Sequence, residues 1–139
     1  MNVLQTALQI AGSLLLLLAV AHFYIAERFQ WRAESRRLSA FNGQAFLVHA
    51  AFIALILAMM GALALFWPHE LLRPTPLGLP IAGGLTLFWA IRLYAQLFVY
   101  DAALWRGKRF ETIVHYGFSL FWLYLTLLFG TCLYIQVNR

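Results

Sequence analysis

Apolar residues dominate four long segments of this chain, and short segments with charged residues and prolines separate them. The apolar segments run over residues 3–26, 45–67, 81–100 and 113–137. Each has the ~20 mostly apolar residues that an α-helix needs to cross the hydrocarbon core of a bilayer. The pattern therefore predicts an all-α membrane protein, with four transmembrane helices in a small bundle that forms a single domain over residues 1–139.

Composition agrees with this prediction and leaves little room for a water-soluble domain. Hydrophobic residues make up 63% of the chain and charged residues 11%, whereas a soluble domain has about 25% charged residues. Small residues at 19–21, within the first apolar segment, resemble the cleavage site of a secretory signal peptide, but residues 1–3 carry no positive charge. A signal peptide normally begins with positive charge, so we expect this segment to be a retained spanning helix.

Lysine and arginine are distributed unevenly between the connecting segments. The segments 27–42 and 101–112 hold seven of them together, whereas the connector between the middle helices has only Arg73, and the C-terminus only Arg139. Cytoplasmic loops of membrane proteins carry the excess of Lys and Arg. We therefore expect an inner (plasma) membrane protein with both basic loops in the cytoplasm and both termini outside.

The net charge of +5 fits a membrane surface better than a nucleic acid. Basic residues lie next to Trp31 and Trp105 in the two cytoplasmic loops, and such pairs anchor a protein at the interface. They also attract anionic lipid headgroups. No basic surface remains away from the membrane, so the predicted partner is the bilayer, and nucleic acid is not expected.

A weak internal repeat relates the two halves of the chain. An acidic residue, three intervening residues and a Trp-Arg pair occur at 27–32 and again at 101–106. Each basic loop then leads into a helix with a histidine near its start, His49 or His115. Repeats of this kind place two hairpins in the same orientation across the membrane, and the pattern suggests two parallel-related hairpins.

Three histidines, His22, His49 and His115, lie in long uncharged apolar runs. An ionisable side chain inside a bilayer is costly and indicates a functional site by default. Helical rise places all three roughly 6–10 Å inside the basic loops. They are therefore expected at a similar depth in the cytoplasmic leaflet, where side chains from separate helices can meet.

Polar residues at helical spacing add to this layer. Arg92, Gln96 and Tyr100 follow one another at intervals of four residues, and Glu111 precedes His115 by four. Side chains four apart share a helix face. Arg92 lies deep in the third span, so we expect it to have a partner inside the bundle. Three carboxylates are candidates for that partner: Asp101, Glu111 and Glu27.

These patterns support several functions. The leading hypothesis is a redox or electron-transfer role with haem b bound by His49 and His115, because haem iron takes axial histidine. A transition-metal ion is the related alternative, since imidazole ligates several such metals. Four residues would form that metal site: His22, His49, His115 and Glu111. A quinone-binding or proton-relay site would use Arg92, Gln96 and Tyr100.

Two further interpretations involve no cofactor. The histidines can serve a purely structural role by hydrogen bonding within the helices. The chain can also be a non-catalytic accessory subunit of a larger membrane complex, or assemble with copies of itself, because its loops are short and its surface aromatic. The sequence contains no phosphate-binding loop, dinucleotide-binding glycine pattern, serine triad or paired-cysteine metal motif. Whether the protein is an enzyme stays open.

Overall fold

The computed structural model describes residues 3–138, and within that range the chain is all-helical with no β-strand. The α-helices of this range are α1 (Val3–Arg28), α2 (Trp31–Ser35), α3 (Ala40–Phe66), α4 (Pro68–Leu72), α5 (Gly78–Tyr94) and α6 (Arg109–Val137). A π-helical turn continues α5, and a 3-10 turn precedes α6: Ala95–Val99 and Ala102–Leu104. Helices α1, α3, α5 with its π-helical turn, and α6 are long and apolar enough to span a membrane. The prediction of four such helices is confirmed.

Helices α3, α5 and α6 begin three to five residues before the predicted spans, and at α3 a local cap, rather than hydropathy, marks the start. Helix α3 begins at Ala40, five residues before the predicted span, and the Ser39 hydroxyl accepts a hydrogen bond from the Asn42 N–H at 3.4 Å. A serine at this position satisfies a backbone donor that the helix leaves unpaired. Helix α5 begins at Gly78, so Pro80 lies in its first turn, where a missing N–H does no harm.

The chain divides into two compact units, Met1–Pro68 and His69–Arg139. In the first unit α1 packs against α3, and in the second α5 packs against α6. Each unit is therefore a helical hairpin. The association of the two hairpins in one bundle, and the sidedness of their loops, remain predictions. Met1, Asn2 and Arg139, which entered the predictions for the two termini, lie outside the described residues.

Glycine brings the two long helices of the first unit into backbone contact. A Cβ atom added to Gly12 would lie 2.6 Å from the carbonyl oxygen of Gly61, and one added to Gly61 would lie 2.9 Å from that of Gly12. Leu8 and Leu15 are completely buried on the same face of α1. Membrane helices commonly associate through small residues that allow such close approach.

A buried glutamine holds the connector of the second unit in place. Gln136, near the end of α6, is 8% exposed. Its Nε2 donates to the Leu71 carbonyl at 3.0 Å, and its Oε1 accepts from the Thr75 N–H at 3.2 Å. The side chain of Gln136 in α6 thus satisfies backbone groups of Leu71 and Thr75, as buried polar groups require. The pattern of apolar residues gave no reason to single out Gln136.

Candidate functional site

The main polar feature of the second unit is Gln96, which lies in the π-helical turn of α5. The Tyr100 N–H donates to the Ala95 carbonyl five residues earlier, at 3.3 Å. The side chain of Gln96 is only 7% exposed. Single π-helical turns within α-helices occur frequently at functional sites. This observation directs attention to the residues around Gln96.

Both ends of the Gln96 amide are hydrogen-bonded. Its Oε1 accepts from Arg92 Nη1 at 3.2 Å and from Trp122 Nε1 at 3.3 Å. Its Nε2 lies 3.0 Å from Nδ1 of His115, which is itself buried. Guanidinium and indole groups only donate, so the amide oxygen must face them and the amide nitrogen must donate to His115. Nδ1 therefore acts as an acceptor, and a neutral His115 carries its proton on Nε2.

Aromatic rings enclose this hydrogen-bonded group. Trp105 stacks on His115 with ring centroids 4.3 Å apart and an interplanar angle of 9°, and Trp89 stacks on Trp122 at 5.1 Å and 15°. The guanidinium carbon of Arg92 lies 5.0 Å from the centroid of the Trp122 ring. A cation over an aromatic face is attracted by the negative charge density of that face. We name the six residues Arg92, Gln96, His115, Trp89, Trp105 and Trp122 the Gln96 cluster.

Arg92 interacts with residues of this cluster and not with a carboxylate. Besides Gln96 and Trp122, it lies 5.6 Å from the Tyr100 ring centroid. Within the described residues no Asp or Glu forms an ion pair with it. Of the expected carboxylates, Asp101 accepts from the Ala103 N–H at 2.9 Å, and Glu111 is exposed in the first turn of α6. A neutral amide and aromatic faces thus replace the predicted counter-charge.

The Gln96 cluster has more hydrogen-bond donors than acceptors. The indole N–H groups of Trp89 and Trp105 are buried, and neither has a hydrogen-bond partner in the part of the chain that the structure describes. The guanidinium of Arg92 uses one bond, to Gln96, and Nε2 of His115 has no partner among the described residues. The acceptor atoms of Gln96 and His115 are already engaged. The groups of the cluster that remain without a partner are therefore hydrogen-bond donors.

The two histidines of the first unit have a different environment. Nδ1 of His22 lies 3.1 Å from the Leu18 carbonyl, and Nδ1 of His49 lies 2.7 Å from the Ala45 carbonyl. A carbonyl only accepts, so both rings donate from Nδ1 to their own helix, and a neutral ring keeps a lone pair on Nε2. His22 also lies edge-on to Trp31 at 6.4 Å, whereas His49 is exposed.

The predicted site residues thus fall into two groups. The second unit brings Arg92, Gln96, Tyr100 and His115 together, and His22 and His49 belong to the first unit. Residues 3–138 contain no group of three or more His, Cys, Asp and Glu side chains that could hold a metal ion. The predicted metal set therefore gains no support from the structure. Its four members were His22, His49, His115 and Glu111.

Sequence reasoning missed the tryptophans of the cluster as site residues, although their spacing contained a signal. Trp122 follows His115 by seven residues, and Trp89 precedes Gln96 by seven. Residues seven apart lie on the same face of an α-helix. Trp105 has no such signal, because it lies in the loop before α6 and reaches His115 only through the path of that loop.

Comparisons with known proteins add no assignment. A scan against protein-family models, a search of curated proteins and a search of solved structures each found no match. The four long apolar helices define the class as a multi-pass α-helical membrane protein.

Proposed function

We propose that this protein binds a membrane quinone at the Gln96 cluster. The surplus of hydrogen-bond donors supports this proposal. A quinone head carries two carbonyl oxygens, which accept hydrogen bonds and do not donate, and its flat ring can stack on indole. A buried donor without a partner costs about 1–3 kcal/mol, so an acceptor at Trp89, Trp105 or His115 would recover that free energy.

The same donors make a metal cation a poor ligand for the cluster. Arg92 already places a positive charge there, and the acceptor atoms that a cation needs are occupied by Trp122, Arg92 and Gln96. In our proposal Arg92 donates to one quinone carbonyl, and Nε2 of His115 and the indole N–H of Trp105, whose rings stack on each other, donate to the other carbonyl.

The proposed setting is an inner (plasma) membrane, with the two hairpins in one bundle and both termini outside. The exposed arginines support this orientation: Arg28, Arg32, Arg36 and Arg37 lie around α2, between α1 and α3. Such a loop fits an anionic cytoplasmic leaflet. We also propose that the protein associates with a larger membrane complex or with further copies of the chain.

Haem b bound by His49 and His115, with electron transfer as its role, is the second candidate. The geometry of His49 favours it, because metal-ligating histidines usually donate their other ring nitrogen to a carbonyl or carboxylate. The geometry of His115 opposes it, since Nε2 carries the proton while Gln96 donates to Nδ1. A Soret absorption band in protein from haem-supplied cells, lost in His49→Ala, would favour haem. Colourless protein would exclude it.

Substitution of Trp105 tests the quinone proposal. Trp105→Phe keeps an aromatic ring to stack on His115 but removes an N–H that no described protein atom accepts. We expect unchanged stability and about tenfold weaker binding of a short-chain benzoquinone, because one hydrogen bond of about 1.4 kcal/mol corresponds to tenfold in affinity. Titration calorimetry in detergent measures that affinity. The control is Glu111→Gln, at an exposed position of α6, which should bind like the wild type.

Two results would contradict the proposal. The first is a wild-type protein that does not bind the benzoquinone or a naphthoquinone analogue. The second is equal affinity in Trp105→Phe and the wild type. Failure to bind any quinone would favour the accessory-subunit role, for which co-purification with a larger complex is the observation to seek.

A further inference from the structure

A second candidate site lies in the first unit, between α2 and the long helices α1 and α3. A cleft of about 560 Å³ opens there, within the range of roughly 300–1,000 Å³ that is usual for ligand pockets. Three alanines of α3 line one side of it, Ala50, Ala51 and Ala54. None of these residues belongs to the Gln96 cluster, so the cleft is a separate feature.

The shape of the cleft depends on specific backbone features. Gln30, which lines it, adopts a left-handed conformation with φ of 50°, where side chains other than glycine are uncommon. This turn directs α2 away from the end of α1. On the far side Gly43 contacts the Ser35 backbone so closely that a Cβ atom would collide with it. Trp31 also lines the cleft, with its ring centroid 5.5 Å from that of Phe46.

The polar lining of the cleft contains one unpaired group of each charge. Glu27 and Arg32 both line it, and neither takes part in an ion pair among the described residues. His22 lines it as well, and its Nδ1 is engaged with the Leu18 carbonyl. A neutral His22 therefore keeps its acceptor, Nε2, for a ligand. The cleft thus combines an apolar wall with a cation, an anion and a neutral acceptor.

We propose that this cleft binds one phospholipid whose headgroup carries a primary ammonium, as phosphatidylethanolamine does. The acyl chain lies along the alanine wall, the phosphate accepts from Arg32, and the ammonium donates to Glu27 and to Nε2 of His22. Charge complementarity selects this lipid. A choline headgroup has no N–H to donate, and a glycerol headgroup has no cation for the carboxylate.

Native mass spectrometry tests this headgroup selectivity. The purified protein is exchanged into mixed micelles with equal amounts of phosphatidylethanolamine, phosphatidylcholine and phosphatidylglycerol, and the retained lipid is counted. We expect the wild type to retain phosphatidylethanolamine about tenfold more than either competitor, the size of effect that hydrogen bonds to charged groups produce. The comparison needs no quinone, so its outcome is independent of the proposed function.

Three variants separate the contributions of the headgroup and the acyl chain. Glu27→Gln should bring phosphatidylethanolamine down to the level of phosphatidylcholine, because the ammonium loses its counter-charge. Arg32→Gln should weaken all three lipids, since each contains phosphate. Ala51→Leu should reduce the retention of all three lipids, because the larger side chain narrows the cleft at its apolar wall. Arg28→Gln is the matched control, because Arg28 is exposed at the end of α1 and does not line the cleft.

Two outcomes would overturn the proposal. Equal retention of the three lipids by the wild type would show that the cleft does not select an ammonium. An Arg28→Gln variant as weak as Arg32→Gln would show that general positive charge, and not the cleft, holds the lipid.

Discussion

Replacing Gln96 with leucine should destabilise the second unit more than any change on its lipid-facing surface. Leucine has a similar size but removes the acceptor for Arg92 and Trp122 and the donor to His115. Polar contacts inside membrane proteins average about 0.6 kcal/mol, so three of them set a lower bound of about 2 kcal/mol. Stranding the buried indole N–H costs a further 1–3 kcal/mol, roughly. We expect a loss of about 3–5 kcal/mol in the free energy of unfolding.

Reversible unfolding in mixed micelles, followed by tryptophan fluorescence, measures this loss. Gln44→Leu is the matched control, because Gln44 is exposed on α3 and takes part in no side-chain hydrogen bond among the described residues. That variant should stay within about 0.5 kcal/mol of the wild type, as surface substitutions do. A Gln96→Leu protein as stable as the control would refute the reasoning. It would mean that no buried polar group depends on the Gln96 amide for its hydrogen bond.

Two further predictions concern packing and orientation. Gly61→Leu should destabilise the first unit by roughly 1–3 kcal/mol, the usual effect of overpacking, because any Cβ there meets the backbone of α1. Gly84→Leu is its control in the same unfolding assay, since a Cβ at Gly84 meets nothing within 4 Å. Equal stability of the two variants would contradict the glycine contact. Reporter fusions after Arg37 should give a cytoplasmic signal and fusions after Arg73 an external one, since positive loops resist translocation; an external signal at Arg37 would reverse the proposed orientation.

The sequence predicted the spanning helices well because a bilayer imposes a simple requirement. Each span needs about 20 apolar residues, and α1, α3, α5 and α6 satisfy that requirement visibly. The ends of the helices were less predictable. The start of α3 depends on the Ser39 cap, and the end of α5 on a π-helical turn, which has no hydropathy signature. Local hydrogen bonds at one or two residues decide such boundaries.

The functional site was harder to predict because histidines in similar sequence contexts have different chemistry. His22, His49 and His115 all lie in apolar runs and were expected at a similar depth, and this likeness suggested a shared ligand. In the structure His22 and His49 donate from Nδ1 to the carbonyl one turn earlier, whereas His115 accepts at Nδ1 from Gln96. A contact within one helix follows from spacing, but a contact between helices depends on how each is rotated about its axis. That rotation decides which ring nitrogen stays free, and therefore whether a histidine offers a lone pair to a metal or a proton to a carbonyl.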